Sequence, residues 1–269
     1  MKIALAQMLV EPGEKPSNLA RAEAWIARAS EQGAEVIVLP EALTLGWTHP
    51  SARMLADEIP GGESYERLRA AARRHRVHVC AGLVERAGDR LFNSAVLLDD
   101  AGELLLLHRK IHELDFAREL YACGDRLGVA KTRLGRVGVM ICADGFAPGQ
   151  SISRALGQMG ARVILSPCAW AVPADHDNLR EPYGQLWLDN YCPVAREFGL
   201  SIIGVSNVGP ITAGPWTGRK CIGNSLAIGP DGRELARGPY GERAEALAMV
   251  EVKNGAEFTV QSRAGRFLD

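Results

Sequence analysis

Apolar residues along this chain follow two alternating rhythms. Short apolar runs at 2–8, 35–39, 77–84, 137–141, 163–165 and 200–205 fit buried strands, because a strand covered on both faces needs no polar side. Between them lie stretches with apolar residues at helical spacing. The first has Leu19, Ala22, Trp25 and Ile26 on one face, with Ser17-Asn18 offering an N-cap and Gly33 an end. Further helices are expected over 61–75, 150–159 and 183–198. A strand, a helix and a second strand in this order make a parallel βαβ unit. Hairpin chemistry interrupts the alternation at Asp99-Asp100-Ala101-Gly102, between strands at 91–98 and 103–107. A strand at 223–228, the turn Pro230-Asp231-Gly232 and a strand at 246–252 are expected to complete the second half of the chain.

The pattern also repeats. Residues 33–40, Gly-Ala-Glu-Val-Ile-Val-Leu-Pro, share their order with residues 160–167, Gly-Ala-Arg-Val-Ile-Leu-Ser-Pro. Each copy follows an Ala-rich helix that itself follows a buried strand. Two matching strand–helix–strand–Pro units predict two similar halves, packed as two sheets in a single α/β domain. Residues after Lys253 carry no clear pattern and are expected to form a tail that packs on another subunit or is loosely held.

Charge narrows the class of partner. With 31 Lys plus Arg against 32 Asp plus Glu, the 269-residue chain has no field to draw in nucleic acid or an anionic membrane. A 47% hydrophobic content with 6% aromatic suits a globular enzyme of small molecules. The opening apolar segment is too short for a signal peptide, and no apolar run is long enough to span a bilayer, so a cytoplasmic protein is expected. Cys80, Cys123, Cys142, Cys168, Cys192 and Cys221 are scattered without a C-x-x-C pair, which argues against a disulfide framework or a structural zinc site.

Three residues stand where apolar strands end. Cys142 closes the run 137–141 and is followed by small and turn-forming residues; Glu41 follows Pro40; Lys110 follows the second strand of the hairpin. The carboxyl edge of an α/β sheet is where ligands usually bind. Singly, a charged residue after a strand is ordinarily the chain returning to solvent, and a cysteine there is ordinarily packing. Together the three types make chemical sense: a thiolate attacks a carbonyl or nitrile carbon, a carboxylate moves protons, and an ammonium stabilises developing negative charge. Lys110 is expected to favour the thiolate as well. His108 and His112 have the spacing of two metal ligands on a helix but flank Lys110 at a strand end, so no metal site is expected. Trp47, Phe146, Trp170, His176 and Trp216 follow motif positions on expected loops, and some are expected to line a pocket.

The segments Leu39-Pro40-Glu41, Arg109-Lys110-Ile111-His112 and Val139-Met140-Ile141-Cys142-Ala143-Asp144 resemble, in order and spacing, the three signature segments of the carbon–nitrogen hydrolase (nitrilase) superfamily. Residues 222–232 resemble its G-x-S-x-x-x-x-P-x-G element. The likeness extends from Lys2 to about Val252 and implies a hydrolase domain over 1–252 with a tail at 253–269. It further implies a four-layer α-β-β-α sandwich of two mixed sheets, a Glu41–Lys110–Cys142 triad without metal or organic cofactor, and a homodimer or higher homo-oligomer. By the same analogy an auxiliary glutamate near the lysine positions substrate, with Glu113 the first choice and Glu119 the second. Lys110 and the Ala143 backbone N–H would hold the oxyanion. The commoner family form, C-Y-D-x-R-F-P-E, here reads Cys142-Ala143-Asp144-Gly145-Phe146-Ala147-Pro148-Gly149; the missing tyrosine, arginine and glutamate bear on substrate specificity and not on the nucleophile.

These readings imply an amidohydrolase that cleaves a small amide or N-carbamoyl compound through a cysteine thioester, releasing ammonia or an amine. A nitrilase, an acyltransferase on the same triad and a non-catalytic small-molecule-binding scaffold are the alternatives.

Overall fold

The computed structural model describes residues 1–252; the expected tail at 253–269 lies outside them. The first sheet contains β1 (Lys2–Gln7), β2 (Val36–Val38), β3 (His78–Ala87), β4 (Arg90–Leu98) and β5 (Leu104–Arg109) side by side. The second contains β6 (Val129–Thr132), β7 (Gly135–Val139), β8 (Val163–Cys168), β10 (Ser201–Ser206), β13 (Leu226–Ile228) and β14 (Glu234–Arg237). A small third sheet joins β9 (Ala171–Val172), β11 (Val208–Pro210) and β12 (Lys220–Ile222). The helices are α1 (Lys15–Glu31), α2 (Ala52–Leu55), α3 (Glu63–His75), α4 (Ser151–Gln158) and α5 (Gln185–Phe198).

The repeat read from the sequence is a repeat of topology. β1, β2 and β3 run parallel and continue into antiparallel β4 and β5; β7, β8 and β10 run parallel and continue into antiparallel β13 and β14. An antiparallel edge strand completes each sheet: β6 beside β7, and β15 (Ala246–Glu251) beside β1. The last strand therefore belongs to the first sheet, not to the second half where chain order put it. Lys2 pairs with Glu251, and Val252 N–H donates to the Met1 carbonyl at 2.8 Å.

Strand alternation sorts side chains into layers. Along β1, Ile3 and Leu5 face the space between the sheets, where they join Val36, Val38, Val137, Val163, Leu165 and Ile203. Ala4 and Ala6 face the other way, onto Leu19, Ala22, Ile26 and Leu68 of α1 and α3. On the second sheet Ile164 and Ile202 face Leu156 of α4 and Val194 of α5. Burial on both faces explains the unbroken apolar runs, and the order helix, sheet, sheet, helix is the four-layer sandwich.

Asn18 is not the cap of the first helix. α1 starts at Lys15, with Pro16 in its first turn, and Asn18 is buried inside it. Its side chain accepts from Glu11 N–H at 2.9 Å and donates to the Glu11 and Thr44 carbonyls at 2.7 and 3.1 Å. A polar residue that reads as a helix start thus ties down the loop that follows Glu41. Among the described residues no helix is long and apolar enough to cross a membrane.

Candidate active site

Glu41 lies just beyond β2, on a loop buried against both sheets. Its N–H donates to the Cys168 carbonyl at 3.2 Å, while Leu39 and Leu43 bond the carbonyls of Cys80 and Gly82. The approach leaves no room at Gly82: a Cβ there would sit 2.5 Å from the Glu41 Cα. Lys110 follows β5, with its N–H donating to the Asn93 carbonyl at 2.8 Å and its carbonyl accepting from Gly124 at 2.7 Å.

These two loops bring opposite charges together inside the protein. Lys110 Nζ donates to Glu41 Oε1 at 2.7 Å and lies 3.7 Å from Glu113 Oε2. Glu41 Oε1 also accepts from Asn93 Nδ2 at 2.6 Å. Both Glu41 and Lys110 are 1% exposed, so neither charge can be solvated except by the other and by these neighbours. Burial works to lower the Lys110 pKa, but Glu113 and Glu41 outweigh it and hold the ammonium well above its ordinary range. Burial pushes Glu113 up to about 7, against the pull of Lys110. Neither carboxyl oxygen of Glu113 has a hydrogen-bond partner among the described residues.

Cys142 opens a 3-10 turn, Cys142–Phe146, separated from the end of β7 in the second sheet by Met140 and Ile141. Its φ of 43° lies in the left-handed region that a side chain with a Cβ rarely adopts, and Ala42, next to Glu41, has a φ of 46°. Such strain persists only where the surroundings enforce it. Here the enforcing residue is Asp144, which is wholly buried. Its carboxylate accepts from Ile141 N–H at 2.9 Å, Ile111 N–H at 3.1 Å, His112 N–H at 2.8 Å and His108 Nε2 at 2.7 Å. One side chain therefore fastens the turn carrying Cys142 to the residues on both sides of Lys110. Burial alone would raise its carboxyl, but His108 and these N–H donors hold it below the usual range.

The Cys142 thiol behaves differently from the sequence-based expectation. Burial, its hydrogen bond with Cys168 and the Glu41 carboxylate push its pKa well above the ordinary thiol value; Lys110 pulls the other way and loses. The resting sulfur is a thiol, because burial, Cys168 and the Glu41 carboxylate disfavour the thiolate more than Lys110 favours it.

Glu41, Lys110, Cys142 and Ala143 share one cavity of about 210 Å³, lined also by Trp47, Phe146, Trp170 and Trp216. Larger surface hollows of about 380 and 410 Å³ are lined by arginines and contain none of the three. Ala143 is the second residue of its 3-10 turn, where backbone N–H groups lack partners within the turn. Two expectations need correction. His176 does not line the cavity: the turn after β9, closed by its N–H on the Pro173 carbonyl, carries its ring to 6.3 Å from that of Tyr240. Glu119 is exposed at the end of the turn Asp115–Glu119, whereas Glu113 is buried beside Lys110, although not on the cavity wall.

Comparison with known proteins agrees with this architecture. The carbon-nitrogen hydrolase family model matches residues 2–258. The chain belongs to the carbon–nitrogen hydrolase family. A nitrilase from Pyrococcus abyssi is 32% identical, with 94% of this chain and 90% of the relative aligned. An (R)-stereoselective amidase from a Pseudomonas species is 32% identical over 87% of this chain and 80% of its own. The crystal structure of an amidase from Nesterenkonia sp. shares the fold with a TM-score of 0.79, at 24% identity, covering 94% of this chain and 90% of that one.

This carbon–nitrogen hydrolase acts on C–N bonds other than peptide bonds. Sequence reading of the hydrolase overlooked Asn93, a polar residue inside the apolar run of β4, and gave Asp144 no role beyond its place in a motif. Tyr183, Leu186 and Trp187, at the start of α5, were also overlooked as cavity residues. A helix start contributing one wall of a site has no local signature, since Trp187 reads as an ordinary core position.

Proposed function

We propose that the protein hydrolyses a small carboxamide through a thioester on Cys142, with Glu41 as the proton carrier and Lys110 as the cation facing the oxyanion. The observation that carries this reading is the buried Glu41–Lys110 pair, 2.7 Å apart, opening onto the same cavity as a strained, protonated Cys142.

A thiol with a raised pKa needs its proton removed as it attacks, and Glu41 is the carboxylate on that cavity. As Sγ bonds to the carbonyl carbon, the thiol proton passes to Glu41 and the C=O electron pair moves onto oxygen. The oxyanion is met by the Lys110 ammonium and the Ala143 N–H, both fixed before the reaction begins. Glu41 returns the proton to nitrogen, the C–N bond breaks and ammonia leaves a thioester. Water then attacks the thioester, giving its proton to Glu41, and collapse of the second oxyanion releases the acid and expels the Cys142 sulfur, to which Glu41 returns the proton, restoring thiol and carboxylate. Glu113 acts through Lys110, keeping it charged, and serves as a positioning residue. An N-carbamoyl compound presents the same carbonyl and follows the same steps.

Similarity to the Pyrococcus abyssi nitrilase supports a second reading, in which the electrophile is a nitrile carbon. Both readings require an acyl or imidoyl group on Cys142. They are tested by ammonia release from amides and nitriles, with Cys142→Ala as the control: it is expected to remain folded and release none. Undiminished release by that variant overturns the assignment.

A further inference from the structure

We propose that the acyl portion of the substrate is uncharged and aromatic, an arylalkyl carboxamide carrying a single ring. This rests on the hydrolytic reading given above. The cavity has two aromatic walls. Trp47 and Trp216 meet edge to face, with ring centroids 4.9 Å apart. Trp170 and Trp187 stack at 4.6 Å and 24°, and Phe146 packs 5.5 Å from Trp187. Flat aromatic walls favour a flat aromatic guest by area buried and by ring–ring geometry. The volume, about 210 Å³, lies below the ~300–1,000 Å³ of sites for drug-sized ligands, so a single ring suits it better than an extended chain.

Charge argues in the same direction. Among the described residues Lys110 is the only cationic one on the cavity wall, and it is held by Glu41 at 2.7 Å and Glu113 at 3.7 Å. A substrate carboxylate entering the cavity would lose its water without gaining a free cation, and would face the carboxyl group of Glu41. Among the described residues Trp47 Nε1 and Trp170 Nε1 are buried without a hydrogen-bond partner, but as neutral donors they cannot balance a full negative charge. Leu186, half-exposed and also part of the lining, keeps the wall apolar on its outer side.

The test compares kcat/KM for ammonia release from phenylacetamide, acetamide and the monoamide of succinic acid. Phenylacetamide is expected to exceed acetamide by about 10- to 100-fold, the usual gain from burying a phenyl-sized group, with the succinic monoamide last. Trp216→Leu and, independently, Leu186→Asp are expected to reduce the phenylacetamide-to-acetamide ratio at least several-fold. Equal or better turnover of acetamide or of the charged monoamide overturns the proposal. Calorimetry on Cys142→Ala separates cavity from chemistry, with phenylacetamide expected to bind more tightly than either other amide. If no amide releases ammonia yet this binding order holds, the hydrolytic reading fails and the cavity preference stands; if the binding order is lost, the preference is refuted.

Discussion

Replacing Asp144 with Asn alters one atom of a wholly buried side chain and should release the turn that carries Cys142. Asp144 Oδ1 accepts from the Ile111 and His112 N–H groups, and Oδ2 accepts from Ile141 N–H and His108 Nε2. An amide keeps one oxygen, and its best choice is to leave that oxygen on the Ile111–His112 pair. The new NH₂ then faces Ile141 N–H and His108. His108 can adapt by presenting an unprotonated Nε2, but the Ile141 N–H has no alternative and stays buried against a donor. That orphaned group costs about 1–3 kcal/mol, and each of the two bonds that lose a charged acceptor weakens by about 1 kcal/mol, together about 3–5 kcal/mol. Domains of this kind are stable by only about 5–15 kcal/mol. Urea unfolding followed by circular dichroism should show a lower midpoint with an unchanged slope. Because the released residue adjoins the nucleophile, kcat should fall at urea concentrations where the variant is still folded. A loss of stability under about 1 kcal/mol with full activity would refute the fastening role. The depressed carboxyl pKa gives the same network a pH signature. Asp144 stabilises the fold above its unfolded pKa, and this contribution is lost as pH falls through the still lower folded pKa.

Glu113 should give the opposite pH signature. Its carboxyl is raised from 4.5 to about 7 on folding, so the native state holds the extra proton and stability should decline as pH rises through that window. Glu113→Gln should flatten the slope of unfolding free energy against pH between about 4.5 and 7, measured by urea midpoints across buffers; an unaltered slope would count against this assignment. At Gly82, where a Cβ would lie 2.5 Å from the Glu41 Cα and 2.7 Å from the Pro40 carbonyl oxygen, Gly82→Ala must push the Glu41 loop away. It should cost about 1–3 kcal/mol of stability and a larger share of kcat than of KM, because the displaced group is the proton carrier. Wild-type kinetics in that variant would show that the close approach is not needed.

Much of the fold was legible because its strands are buried on both faces and so appear as unbroken apolar runs. The repeated Gly-Ala-charged-Val-Ile pattern marked corresponding strands, β2 and β8, in the two sheets. Pairing between distant parts of the chain was not legible. Nothing in residues 246–251 shows that they lie against Lys2–Gln7, and the two- and three-residue strands β9, β11 and β12 are too short to carry a period. At the site, residue types at strand ends pointed to Glu41, Lys110 and Cys142, and these share one cavity. The supporting groups were harder to see. Asn93 was signalled only by a polar residue in an apolar run, and Gly82 by a glycine within a strand. The direction of the Cys142 shift could not be read from neighbours in sequence, because it depends on how deeply the sulfur is buried and on the approach of Cys168 and Glu41 in space.

The most direct test of the account is the mass of the protein quenched during turnover of a small amide. Digestion should place an added acyl group on the peptide containing Cys142, at a level that decays as substrate is exhausted, and Cys142→Ala should show neither adduct nor ammonia. Ammonia released by the Cys142→Ala variant, or an acyl group found only on another cysteine, would contradict it.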